Sequence, residues 1–241
     1  IIHGFAHIPS ALTMRARTNW LLGNFEAAIV DMELAESVGE EIGHLPSRNW
    51  VRLIGSFPIA IWSGNWNKAR ELLAEAVQLA IEHSIPGWSR DLHYWEAAIT
   101  RLESNRGSYG ARPIAWDAPT PWHADMQSSL YCGFHKQADL ERVEKNPDLW
   151  CTAEHFRSAG EQLLAIGSPD AGHAERLFLT ALEISQTQRA GAWEIRARIS
   201  LARYYRADGK TKQSASMLQF IVERFAKDSV NPDVRIAWDM L

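Results

Sequence analysis

The chain has 241 residues, 46% of them hydrophobic and 22% charged, with a net charge of −4. That balance supplies core for one elongated repeat array or two small domains, and it favours neither nucleic acid nor an anionic membrane as a partner. Two cysteines, Cys132 and Cys151, are too few for a stapled secreted framework, so reduced thiols and a cytoplasmic location are expected. No apolar run approaches the roughly 18 residues of a membrane span. The opening Ile1-Ile2-His3-Gly4 lacks the basic-then-apolar pattern of a signal peptide. It also lacks a starting Met, so the chain is expected to be a piece of a longer protein.

From the N-terminus onward, apolar residues recur three and four apart, the period of amphipathic helices. The first unit is a helix ending at Leu21-Leu22, a Gly23-Asn24 turn, and a second helix carrying Ala28, Met32 and Ala35 on one face. Trp50 to Trp62 reads as another apolar helix, interrupted by Pro58 and closed by Gly64-Asn65. Trp66 to Ala80 follows, rich in good helix formers, with Ala69, Leu73, Ala76 and Ala80 in one stripe. Asn105 to Pro121 holds three Pro and two Gly, so no long helix is expected there. Ala138 to Lys145 is a short helix stopped by Asn146-Pro147. Gly167 then precedes a helix with Ala174, Phe178 and Ala181, and Gly209 one with Ser214, Leu218 and Ile221. Turn glycines at 23, 64, 107, 133, 167 and 209 are spaced by 41, 43, 26, 34 and 42 residues. Such periods indicate a solenoid of helix pairs. The small residue early in each second helix lets two antiparallel helices approach closely.

Gly23 and Gly64 are each followed by Ala at the fifth position (Ala28, Ala69) and again seven later (Ala35, Ala76), which resembles the tetratricopeptide repeat. Two segments look like the C-terminal helical region of large bacterial signalling ATPases. The first is Phe5-Ala6-His7-Ile8-Pro9-Ser10 leading into Asn19-Trp20-Leu21-Leu22-Gly23. The second comprises Ala153-Glu154-His155-Phe156-Arg157, Gly160-Glu161-Gln162-Leu163-Leu164, Ala192-Trp193-Glu194-Ile195-Arg196-Ala197 and Ser200-Leu201-Ala202-Arg203. Asn231-Pro232-Asp233-Val234, with Ala237 and Leu241, is similar to that family's capping helix. The likeness covers most of 5–100 and 150–241 and fails over about 105–148. It implies an all-α, tetratricopeptide-like α-solenoid of about five to six helix pairs in a right-handed superhelix. One repeat domain over 1–241 is expected, with 105–148 an irregular seam and a two-lobed arrangement as the alternative. In that family the region follows a nucleotide-binding module and serves a cyclase or winged-helix output domain, which implies signal transduction or transcription regulation.

Catalytic patterns are sparse. Gly209-Lys210-Thr211 resembles the tail of a phosphate-binding loop, but Tyr204 stands where the earlier Gly is needed, so it reads as a turn between helices. His3 and His7 have a helical metal-ligand spacing broken by Gly4, and Asp91, His93 and Glu96 point to different faces. Cys132 and Cys151 lie near His135 and His155 in sequence, yet no oxyanion loop accompanies them, so inert thiols are expected. No enzyme activity, cofactor or metal is expected.

A concave groove remains. In tetratricopeptide arrays the first helix of each pair lines it, and that register points Arg17, Trp20, Trp62, Arg101, His123, Gln127, Glu154, Arg157, Glu161, Arg196, Arg203 and Arg206 inward. Positions 196, 199, 203 and 206 share one face, so three guanidinium groups line up beside Ile199. The interval 189–212 carries seven Arg or Lys against Glu194 and Asp208. Guanidinium forks suit carboxylate or phosphate; a solvated basic helix balancing Glu154 and Glu161 is the alternative. The eleven Trp fill helix seams or stack on a ligand. The expected function is a regulatory scaffold binding a protein segment, or other domains of its parent chain, in the groove. The alternative is a sensor for an anionic or aromatic small molecule. A homodimer is allowed, and direct contact with nucleic acid or membrane is not expected.

Overall fold

The computed structural model describes residues 6–83, 92, 95–100, 118, 120–167 and 171–241. The protein is all-α, with no strand among the described residues, and no helix there is long and apolar enough to cross a membrane. The chain divides into two compact units, Ile1–Arg106 and Gly107–Leu241. Their boundary falls inside the interval where the sequence loses its regular helix pairs.

In the first unit α1 (His7–Leu22) and α2 (Phe25–Ile42) pack on each other across the Gly23 turn. Gly23 ends α1 at φ 93°, a left-handed conformation that lets its N–H reach the last carbonyls of the helix. The next stretch is α3 (Leu45–Trp50), a π-helical segment Val51–Ser56 and α4 (Phe57–Trp62). Pro58 therefore does not interrupt the run. The wider π-helical turn moves the preceding carbonyls out of register, and Pro58 falls in the first turn of α4. After Gly64, α5 (Trp66–Glu82) starts at Asn65, whose side chain accepts from the Lys68 N–H, and packs back on α4.

The second unit contains α6 (Pro121–Leu130), a 3-10 turn at Cys132–Phe134, α7 (Gln137–Glu144), α8 (Thr152–Ala165), α9 (Ala171–Thr187), α10 (Gly191–Ala207), α11 (Thr211–Val222) and α12 (Pro232–Met240). Each of α8 to α11 packs on the next helix in the chain, and α8 also meets α10. Asn231 caps α12 through the Asp233 N–H. Gly64, Gly167 and Gly209 share the positive φ of Gly23, and Gly43 adds a fifth such turn that the spacing did not include. Gly133 lies within the 3-10 turn, and Gly107 lies outside the described residues.

The apolar stripes predicted on the second helices are the core. Ala28, Ala35, Ala69, Ala76, Ala174, Phe178, Leu218 and Ile221 are fully buried. In the second unit Ala174, Phe178, Leu201 and Tyr205 form one cluster, and Leu140, Val143, Ala159 and Leu177 another. Close approach is enforced at Gly160 on α8, where a Cβ would stand 2.5 Å from the Phe178 ring. Gly39, on α2, leaves ordinary contact distances of 3.8 Å or more.

These distances set opposite signs for the same chemical change. Gly160→Ala is expected to lower unfolding stability by about 1–2 kcal/mol, because overpacking outweighs the gain in helix propensity. Gly39→Ala is expected to raise it by about 0.5–1 kcal/mol. Urea denaturation of both variants checks the pair.

Candidate functional site

The second unit holds two polar centres. The first is built around Glu154, which sits in the first turn of α8 and has no solvent exposure. Burial of a carboxylate is costly unless cations meet it. Arg157, three residues on, forks onto it with Nε to Oε1 at 2.8 Å and Nη2 to Oε2 at 2.9 Å. Arg196 of α10 donates from Nη1 to Glu154 Oε2 at 3.0 Å and to the Ser129 carbonyl at 2.7 Å, while its Nε donates to Asp233 at 2.8 Å. One guanidinium thus ties α6, α8, α10 and α12 together. Burial works to raise the Glu154 carboxyl, but Arg157 and Arg196 outweigh it and hold the group below its ordinary value.

Above this network lies a cavity of about 190 Å³ lined by Leu130, Tyr131, Cys132, Arg157, Arg196, Ile199, Ser200, Arg203 and Asp233. Three guanidinium groups face one carboxylate among these residues. Ser200 donates to Glu161 at 2.5 Å at its margin. Burial pushes the Cys132 thiol up to about 11, leaving it protonated at neutral pH.

The second centre is assembled from four separate stretches. Asp125 on α6 accepts from His155 Nε2 at 3.0 Å and from Arg142 of α7. Cys151, at the N-cap of α8, hydrogen-bonds the same carboxyl. Nδ1 of His135 lies 3.2 Å from Nδ1 of His155. All four of Asp125, His135, Cys151 and His155 are buried. Burial works to raise the Asp125 carboxyl, and hydrogen bonds from His155 and Arg142 outweigh it, leaving it below its ordinary value. Burial and the neighbouring His155 push His135 down to about 3, and burial pushes the Cys151 thiol up.

The groove residues read from the sequence fall in several places. Arg157, Arg196 and Arg203 come together at the cavity, with Ile199 between the last two. Arg206 is exposed and donates to the Met240 carbonyl. In the first unit Trp20 and Trp62 are buried and stacked at 6.2 Å, with Phe25 edge-on to Trp20, so both rings are packing residues of that unit's core. Arg17 is buried on α1. His123 and Gln127 are buried on α6, with His123 Nδ1 2.8 Å from the Thr120 hydroxyl. Arg101 lies outside the described residues, as do Asp91 and His93. Cys151 and His155, one helical turn apart, were legible as a pair. Asp125, 30 residues before His155, was not.

No protein-family model, curated protein or solved structure matches the chain.

Removing Glu154 leaves two largely buried guanidinium groups, Arg157 and Arg196, without their shared counter-ion. Glu154→Ala is expected to cost about 3–5 kcal/mol, read as an early melting transition. A second expectation concerns acid. His135 binds a proton near its ordinary value of 6.5 when unfolded but only near 3 when folded. The unfolded state therefore binds more protons across that window, and stability falls as pH drops through it, by at most about 1.4 kcal/mol per unit. Contributions from Asp125 and Glu154 are present above their unfolded values of 3.8 and 4.5 and are lost only below them. Denaturation midpoints of His135→Gln should be flatter than wild type between pH 6.5 and 4.5.

Proposed function

We propose that the chain is a non-catalytic, tetratricopeptide-like interaction scaffold of a bacterial regulatory protein. It holds a segment of another protein, or of another domain of its parent chain, against the guanidinium-lined cavity of the second unit. The observation that carries this reading is the cavity itself. Its walls come from α8 and α10 together with Leu130, Tyr131, Cys132 and Asp233, and two of its three guanidinium groups, Arg157 and Arg196, are already held in position by the buried Glu154 carboxylate. A volume of about 190 Å³ falls below the roughly 300–1,000 Å³ of pockets that enclose whole small molecules. It suits one acidic side chain of a docked segment, with Arg203 and Arg157 as the recognising cations. The non-catalytic part of the proposal is supported by Cys132 and Cys151, whose thiols are both pushed up, the opposite of what a nucleophile requires. In the regulatory reading, docking shifts the parent protein between free and engaged arrangements.

Selection from a random peptide display library tests this directly. Enriched sequences should share an acidic residue, and their binding should weaken by about tenfold or more in Arg203→Glu. Enriched peptides that bind both proteins equally would remove the cavity from the proposal. A discrete small-molecule mass on the purified chain under native mass spectrometry, lost in the same variant, would replace it with a sensor.

A further inference from the structure

Three ligand-type side chains in the second unit converge on one point and line no part of the guanidinium-lined cavity. The ligand atoms of Asp125, Cys151 and His155 all lie within 4.8 Å of one another, and all three residues are buried. Among the described residues no other group of His, Cys, Asp and Glu converges in this way. Tetrahedral coordination at bond lengths of about 2.0–2.3 Å places ligand atoms roughly 3.3–3.8 Å apart. The carboxylate and imidazole atoms are 3.0 Å apart. Shifts of about an ångström in these side chains, with Arg142 displaced from Asp125, bring the cluster to a coordination shell.

We propose that Asp125, Cys151 and His155 form a binding site for one zinc-type divalent ion, distinct from the guanidinium-lined cavity. A mixed oxygen, sulfur and nitrogen donor set selects a borderline transition ion over magnesium or calcium. Cys151 and His155 stand one helical turn apart at the start of α8, so a single rigid element presents two of the three ligands. The third comes from α6, and water or the second Asp125 oxygen fills the fourth position. His135 supplies what such a site requires beyond its ligands. Its Nδ1 faces the remaining nitrogen of His155 at 3.2 Å and accepts the N–H that a metal-bound imidazole presents there. That arrangement places a hydrogen on His135 Nε2, a buried atom that has no hydrogen-bond partner in the protein.

Arg142 is the competitor, since its guanidinium rests on Asp125. It has a second carboxylate within reach, Asp139 at 3.8 Å, whose side chain is more exposed than that of Asp125. Metal entry therefore exchanges one neutral arrangement for another. Without metal, Asp125 is balanced by Arg142 and Cys151 keeps its proton. With metal, the dication is balanced by the Asp125 carboxylate and the Cys151 thiolate, one thiol proton is released, and Arg142 moves to Asp139.

Titration of the chelator-treated chain with Co²⁺, followed by zinc competition, tests the site. One equivalent should produce a thiolate-to-cobalt charge-transfer band with visible bands of tetrahedral type, and zinc should abolish both. Cys151→Ser and Asp125→Asn should lose the charge-transfer band or the tetrahedral bands, and Cys132→Ser should keep both. His135→Gln should weaken affinity by about 10–100-fold. Arg142→Gln should strengthen it by about tenfold, because the competing charge is gone. This variant keeps the test decisive where a ligand substitution fails to fold, since a purely structural cluster would lose stability there and gain no metal affinity. Absence of the band in the folded wild-type chain, or its persistence in Cys151→Ser, overturns the proposal.

Discussion

A carboxylate shut away from water has to be answered by positive charge, and Glu154 imposes that demand on the whole second unit. Its two oxygens take guanidinium donors from its own helix and from α10, two helices further along the chain. Arg196, held there, in turn reaches Ser129 at the end of α6 and Asp233 at the start of α12. The ion network sets which faces of these helices look inward. Apolar packing around Phe178 and Leu201 then sets how closely they approach. Buried ion pairs add little net stability over apolar packing, but losing one partner is severe.

The two buried carboxylates of this unit are answered differently. Glu154 receives full charges from two arginines and is saturated, which turns the guanidinium faces beyond it into a wall of fixed charge around the cavity. Asp125 receives one arginine, one imidazole and one thiol. Imidazole and thiol side chains are also metal ligands, and Arg142 has another carboxylate within reach. The same electrostatic requirement thus yields a guanidinium-lined cavity in one place and a candidate ion site in the other.

The first unit shows a different balance. Its polar groups pair mostly at the surface, as with Arg52 between Glu40 and Glu75, while its interior is aromatic. Trp20 stacks on Trp62 and meets Phe25 at its edge. The sequence register points Trp20 and Trp62 toward a groove, whereas the structure buries both rings in the unit's own core.

Helix pairs, left-handed glycine turns and the small-residue stripes were determined by the sequence alone. Each depends on local chemistry: the 3.6-residue period, the freedom of Gly23 or Gly209 at positive φ, and the volume of Ala28 or Ala174. Positions 196, 199 and 203 share a face for the same reason, and that face does line a cavity. What the sequence left open was which partner each polar side chain meets. Arg196 finds Glu154 across 42 residues and His155 finds Asp125 across 30, distances over which the 3.6-residue helical period pairs no side chains. Only the stacking of one helix pair on the next brings those groups within reach. Once there, the cost of leaving a buried charge unanswered selects the contacts that form.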